Sequence, residues 1–217
     1  MASSLLAGLS ILMIGDSHLA TPDYLIGSLH NELLAKGAKV HSIGICGAQA
    51  GDWLKVSPAG TCGGAERKGN GKAVVLRGKA ATQPIAQLIA SEKPDLVLVV
   101  LGDTMAGYTQ ANFQRAWVWQ QTTKLVKSIA GTGTQCAWIG PSWGSEGGKY
   151  GKTYARVEQI STLLSSNVAP CGYIDSLKLA KKGQWATVDG QHLTATGYKQ
   201  WGVGIASALE SWKGQAQ

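Results

Sequence analysis

Apolar positions along this chain follow two alternating patterns. Short, nearly unbroken apolar runs at residues 9–14, 40–45, 96–101 and 135–139 have the length and composition of strands. Between them apolar residues recur at helical spacing, as at Leu25, Leu29, Leu33 and Leu34. The run 96–101 is apolar throughout, the pattern of a strand covered on both faces of a parallel sheet. Helices are predicted over 22–37, 83–91, 110–129, 154–164 and 195–212, with Pro22 suiting a first turn and Gly37 an end. The stretch "CGYID" reads as a further short strand, and the Gly-rich segment 60–71 as loop. Strand and helix alternate throughout, so the expected class is α/β, with a central parallel sheet of about five strands and right-handed crossovers. The 217 residues suit one domain spanning 1–217, and no charged or Pro-rich stretch marks a boundary.

Sheets of this kind bind ligands beyond the carboxyl ends of their strands. Three such ends carry unusual residues: "GDSH" (15–18), "ICGAQAG" (45–51) and "LGDTMAG" (101–107). A fourth block, "TVDGQHLTATGY" (187–198), sets Asp189 three residues before His192, just ahead of the last helix. A serine hydroxyl attacks a carbonyl only when a histidine takes its proton, and that histidine needs a carboxylate to fix its tautomer. Ser17, His192 and Asp189 fit those roles as candidate catalytic residues. The oxyanion formed by attack needs preorganised donors, each worth about 3–4 kcal/mol. The N–H groups of Ser17 and Gly47 supply two, and a side chain of the third block a third. Asp16 fits an acceptor for backbone N–H groups in the serine turn.

These blocks, in this order, resemble the SGNH (GDSL-type) hydrolase superfamily across nearly the whole chain. They also bear some similarity to its periplasmic O-acetyltransferase and O-acetylesterase members. The resemblance implies a three-layer α/β/α sandwich and hydrolysis or transfer of acyl groups, often acetyl on carbohydrate, without metal or other cofactor. One block departs: where the family reads G-x-N-D and its Asn donates to the oxyanion, this chain reads "GDTM". That places Thr104 at the Asn position, whereas a shift of one residue would offer Asp103, whose ionised carboxylate would repel an oxyanion.

His18, Trp53 and Trp143 lie on segments expected at the active edge and are candidate substrate-binding residues, the tryptophans as faces for sugar rings, with core packing as their rival role. Trp117, Trp119, Trp138 and Trp201 fall within predicted elements and read as structural, and His30 and His41 have no neighbours that would make a metal site. The net charge of +7 comes from scattered Lys and Arg. It suits solubility or general attraction to an anionic polysaccharide better than base-reading of nucleic acid, for which no motif is present. No apolar stretch is long enough to span a membrane.

Cys46, Cys62, Cys136 and Cys171 lack zinc-ligand spacing and allow three pairings. Cys46 and Cys62 flank one Gly-rich loop and the other two sit in predicted strands, which favours bridges Cys46–Cys62 and Cys136–Cys171 and hence a periplasmic or extracellular location. Four reduced, buried thiols are the alternative. The expected function is therefore a serine esterase acting on acyl, foremost O-acetyl, esters of carbohydrate. A polysaccharide O-acetyltransferase with the same triad and a non-catalytic polysaccharide-binding module are the rivals.

Overall fold

The computed structural model describes residues 4–211. Strands β1 (Ser10–Gly15), β2 (Lys39–Ile45), β5 (Leu96–Val100), β6 (Gln135–Ile139) and β7 (Gly172–Ile174) form a parallel core. To it β3 (Gly64–Lys68) and β4 (Val74–Val75) add an antiparallel extension, giving the order β4-β3-β2-β1-β5-β6-β7. The parallel part thus has the five strands expected, and the whole sheet reaches seven because part of the Gly-rich stretch expected to be loop pairs with β2. Gly64 makes that pairing possible, since a Cβ there would come within 2.5 Å of the Gly44 carbonyl.

Side chains alternate across the sheet into two cores. Leu12, Ile14, Val97 and Val99 face one core, completed by helices α2 (Ile85–Glu92), α3 (Arg115–Ala130) and α4 (Tyr154–Asn167). Ile11, Met13, Leu98 and Val100 face the other, closed by α1 (Ser28–Ala35) and α5 (Ala195–Ser211). The result is the expected three-layer α/β/α sandwich, and the apolar runs are apolar because both faces are covered. Both expected disulfides are present, Cys46–Cys62 and Cys136–Cys171. Among the described residues no helix is long and apolar enough to cross a membrane.

Two helices start later than the pattern predicts. Residues 21–27 form turns, with Leu25 N–H donating to the His18 carbonyl, and α1 begins only at Ser28. The predicted start of the third helix at 110 moves to Arg115, because the Arg156 guanidinium takes the carbonyls of Ala106, Gly107 and Gln110. Those acceptors are then committed outside any helix. The expected end of the last helix at Trp212 lies outside the described residues.

The chain runs outward from β1 to β2 and returns to the other side of β1 at β5, which sets a topological switch point between β1 and β5. A one-turn 3-10 segment follows each of these strands, Ser17–Leu19 after β1 and Asp103–Met105 after β5. The first folds down onto β2 at Gly44, where an added Cβ would lie 2.2 Å from the Leu19 carbonyl carbon. Gly44→Ala should therefore cost at least about 2 kcal/mol, the scale of overpacking a tight core. Chemical denaturation of that variant measures the loss, and an unchanged midpoint would contradict this packing.

Candidate active site

Asp16 caps the Ser17–Leu19 turn, its Oδ1 accepting from His18 N–H at 3.0 Å. This turn sets Ser17 at the carboxyl edge of the sheet. His192 arrives from the far end of the chain on the loop before α5. There Asp189 Oδ1 accepts from the N–H groups of Gln191 (3.0 Å) and His192 (2.7 Å). Its Oδ2 pairs with His192 Nδ1 at 2.7 Å, and His192 Nε2 lies 2.7 Å from Ser17 Oγ. The carboxylate assigns the proton to Nδ1 and leaves Nε2 to accept from the serine. The three groups form one hydrogen-bonded chain, Asp189–His192–Ser17, although 175 residues separate His192 from Ser17.

Electrostatics suit that chain to proton transfer. Burial would raise the Asp189 carboxyl, but its hydrogen bonds with His192 overcome this and hold its pKa below the usual carboxylate range. Burial, with the neighbouring His18 adding to it, lowers the His192 pKa below 6.5 despite the opposing pull of Asp189. The imidazole is then neutral, and able to accept a proton, at neutral pH. Tyr24 stacks on its ring at 5.6 Å between centroids and Tyr150 meets it edge-on, also at 5.6 Å.

Ser17 and His192 open onto a cavity of about 380 Å³ shared with Gly47, Thr104, Tyr108, Lys149, Tyr150, Gln191 and the Cys46–Cys62 bridge. Gly47 has φ +78° with nothing within 4 Å on its side-chain side, so this corner needs glycine and faces open space. Thr104 borders the same cavity, but its hydroxyl donates to the Ala48 carbonyl at 2.8 Å. A larger hollow of about 660 Å³ lies at the opposite edge of the sheet, where Asp95 is the one ionisable lining residue and its carboxylate accepts from Ser10 N–H. It holds no group suited to catalysis.

Behind the serine lies a buried ion cluster that the sequence did not reveal. Asp103, at the end of β5, has a side chain fully shielded from solvent, as does Lys152, whose Nζ lies 2.9 Å from both carboxylate oxygens. His18 Nε2 meets Asp103 Oδ2 at 2.8 Å, and the Tyr108 hydroxyl donates to Oδ1. Burial alone would raise the Asp103 carboxyl, but Lys152 and His18 overcome it and keep its pKa well below normal. Asp16 differs: burial dominates, and its pKa rises from 3.8 to about 6, with Oδ2 left without a hydrogen-bond partner.

Three substrate-wall expectations are corrected by these positions. His18 is 2% exposed and faces inward, its Nδ1 on the Tyr198 hydroxyl at 2.7 Å and its Nε2 on Asp103, so it cannot reach a ligand. Trp53 is fully buried in the core under α3, because the 3-10 segment Ala50–Leu54 turns its apolar side inward. Trp143 is held away from the cavity, its Nε1 donating to the carbonyls of Leu177 and Ala180 at 3.0 Å each. Trp138 and Trp201 are structural as expected, whereas Trp117 and Trp119 stand on the exposed side of α3, at 36% and 50% exposure. His30 and His41 pair with Ser42 and Glu66. The aromatic neighbours of the site are Tyr24, Tyr108 and Tyr150. Only the glycines around Tyr150 hinted that its loop comes close to other chain.

Solved structures with this fold include a GDSL-like lipase from Bacteroides thetaiotaomicron, with TM-score 0.59, 11% identity and coverage of 97% of this chain and 92% of that one. TesA matches with TM-score 0.61 and 16% identity over 93% and 98% of the two chains. A peptidoglycan O-acetylesterase matches with TM-score 0.59 and 15% identity over 96% and 92%. These likenesses show that the chain shares the three-layer α/β/α fold of those proteins. No family model matches the chain. Protein BcsX of Komagataeibacter xylinus is 41% identical over 207 residues, which cover 95% of this chain and 78% of that protein, and the chain belongs to the same family.

Two predictions follow the buried charges. Asp16 in the fold binds its proton more tightly than in the unfolded chain, so its contribution to stability is whole below about pH 3.8 and is lost as pH rises through about 6. Asp16→Asn keeps an acceptor for His18 N–H and removes the charge. Its unfolding free energy should exceed that of wild type increasingly from pH 4 to pH 7, by up to about 3 kcal/mol, and a pH-independent difference would contradict the burial argument. Lys152→Met strands the Asp103 carboxylate and should cost about 3–5 kcal/mol, most of it recovered in the double variant with Asp103→Leu. Equal denaturation midpoints for Lys152→Met and wild type would remove the ion pair from the account.

Proposed function

We propose that this protein is a serine esterase acting on acyl, foremost O-acetyl, esters of carbohydrate through an acyl-enzyme. The observation that carries this reading is the unbroken Asp189–His192–Ser17 chain opening onto a cavity beside Gly47. Ser17 Oγ attacks the acyl carbonyl while His192 Nε2 takes its proton, and the resulting imidazolium is held by Asp189. The oxyanion is met by the N–H groups of Ser17 and Gly47, neither of which donates to another described group. Thr104 serves as a third donor once its hydroxyl leaves the Ala48 carbonyl. His192 then returns the proton to the departing sugar oxygen, and the acyl group stays on Ser17. Water, activated by the same imidazole, releases the acid and restores the serine.

A sugar hydroxyl in place of that water would make the protein an O-acetyltransferase by the same steps, and product analysis separates the two outcomes. The two disulfides suit an oxidising compartment, so a periplasmic or extracellular setting goes with this reading. The expected attraction to anionic polysaccharide finds one cation at the cavity, Lys149.

Wild type should release p-nitrophenol from p-nitrophenyl acetate, and Ser17→Ala should lose this activity by about 10⁴-fold or more. Retained turnover in the variant would overturn the nucleophile assignment. Because the neutral imidazole is the base, kcat/KM should climb as pH rises and level off, with its midpoint below 6.5. A profile still rising between pH 8 and 9 would point to a different base.

A further inference from the structure

Next to the catalytic cavity lies a second one, of about 320 Å³, and Thr104 and Gly107 line both. Its other walls are Gln49, Met105, Gln110, Gln114 and Trp117. No ionisable side chain lines it. Such a surface offers nothing to repay the desolvation of a charged group. It does offer three carboxamides, each both donor and acceptor, the combination that matches hydroxyls which also donate and accept. Among the described residues the side-chain amides of Gln110 and Gln114 make no hydrogen bond, while Gln49 spends one donor on the Thr104 carbonyl at 3.2 Å.

Trp117 supplies the apolar part of the lining. It stands on the first turn of α3, 36% exposed although it belongs to the largest residue type, and it lines the cavity. Its indole N–H makes no hydrogen bond among the described residues. An aromatic face beside neutral hydrogen-bonding groups fits a pyranose ring, whose axial C–H groups are apolar and whose rim is hydroxylated. Trp119, two positions along and 50% exposed, lines no part of either cavity.

We infer that the cavity bounded by Trp117, Gln110 and Gln114 is a binding subsite for an uncharged sugar unit of the same glycan chain whose ester lies at Ser17. This rests on the carbohydrate reading above and narrows it: the substrate is a chain of neutral sugars, not a monosaccharide ester, and its length beyond the reacting unit contributes to binding. The scattered positive charge then acts elsewhere than in sugar recognition.

The test separates this inference from the catalytic reading by measuring binding without turnover. Ser17→Ala is titrated by calorimetry with xylohexaose, cellohexaose and, as a charged control, hexagalacturonate, and the same is done with Ser17→Ala carrying Trp117→Ala, Trp117→Phe or Trp119→Ala. At least one neutral hexasaccharide should bind, more tightly than its disaccharide. Trp117→Ala should weaken it by about tenfold or more, while Trp117→Phe retains most of the affinity and Trp119→Ala retains all of it. Circular dichroism of each variant checks that it is folded. Absence of binding by both neutral hexasaccharides, equal affinity in Trp117→Ala, or stronger binding of the charged control would each overturn the subsite. Binding lost in Trp117→Ala together with a wild type inactive on every acyl ester would keep the subsite and overturn the esterase.

Discussion

Asp103 is a carboxylate with no access to water, and the edge of the sheet that carries the site is arranged around it. An ionised carboxyl in that position costs several kcal/mol in lost hydration unless partners replace the water. The partners come from separate parts of the chain: His18 from the turn after β1, Tyr108 from the loop after β5, and Lys152 from the segment preceding α4. Through His18 the cluster reaches Tyr198 on α5. Exposed pairs such as Lys182–Glu158 contribute about 0–1 kcal/mol at most and tie nothing together. A buried pair of this kind is no stronger reason for stability than packed hydrocarbon would be, but it accepts only one arrangement of these segments. Specificity of geometry is what the hydrogen-bonded chain Asp189–His192–Ser17 needs.

The same lysine fixes the mouth of the cavity. Lys152 closes a glycine-rich loop that also carries Lys149 and Tyr150, and Gly148 in that loop passes so near the Asp189 carbonyl that a Cβ would meet it at 2.3 Å. Lys149 N–H donates to that carbonyl at 2.9 Å. The loop therefore braces the backbone of the residue that orients His192. Ion cluster, loop and His192 segment act as one unit, and the cavity beside Ser17 takes its shape from it.

Much of this was legible in the chain. The parallel strands were visible as apolar runs because a sheet covered on both faces leaves few polar positions, such as His41 and Ser42 in β2, to confuse the pattern. Three of the four blocks were visible because Ser17, Gly47, Asp189 and His192 are residue types whose chemistry is local to short motifs. What escaped depended on contacts distant in sequence. A lysine inside a glycine-rich loop reads as solvated, since Lys is almost never buried without a partner, and nothing near Lys152 in sequence names Asp103 as that partner. Trp53 and Trp143 were placed by the loops they sit on, but a loop residue can turn inward, and only packing decides which way. The strand β3 was hidden because Gly64, read with the glycines before it as flexibility, serves close approach to β2.

The antiparallel extension also determines what the sheet presents to other molecules. Without β3 and β4, the long strand β2 would leave a row of unpaired backbone groups at the border. With them, the border is β4, two residues long, whose Val74 and Val75 side chains are exposed. So short a border gives an incoming strand little to register against, which limits edge-to-edge association of this protein with itself at high local concentration.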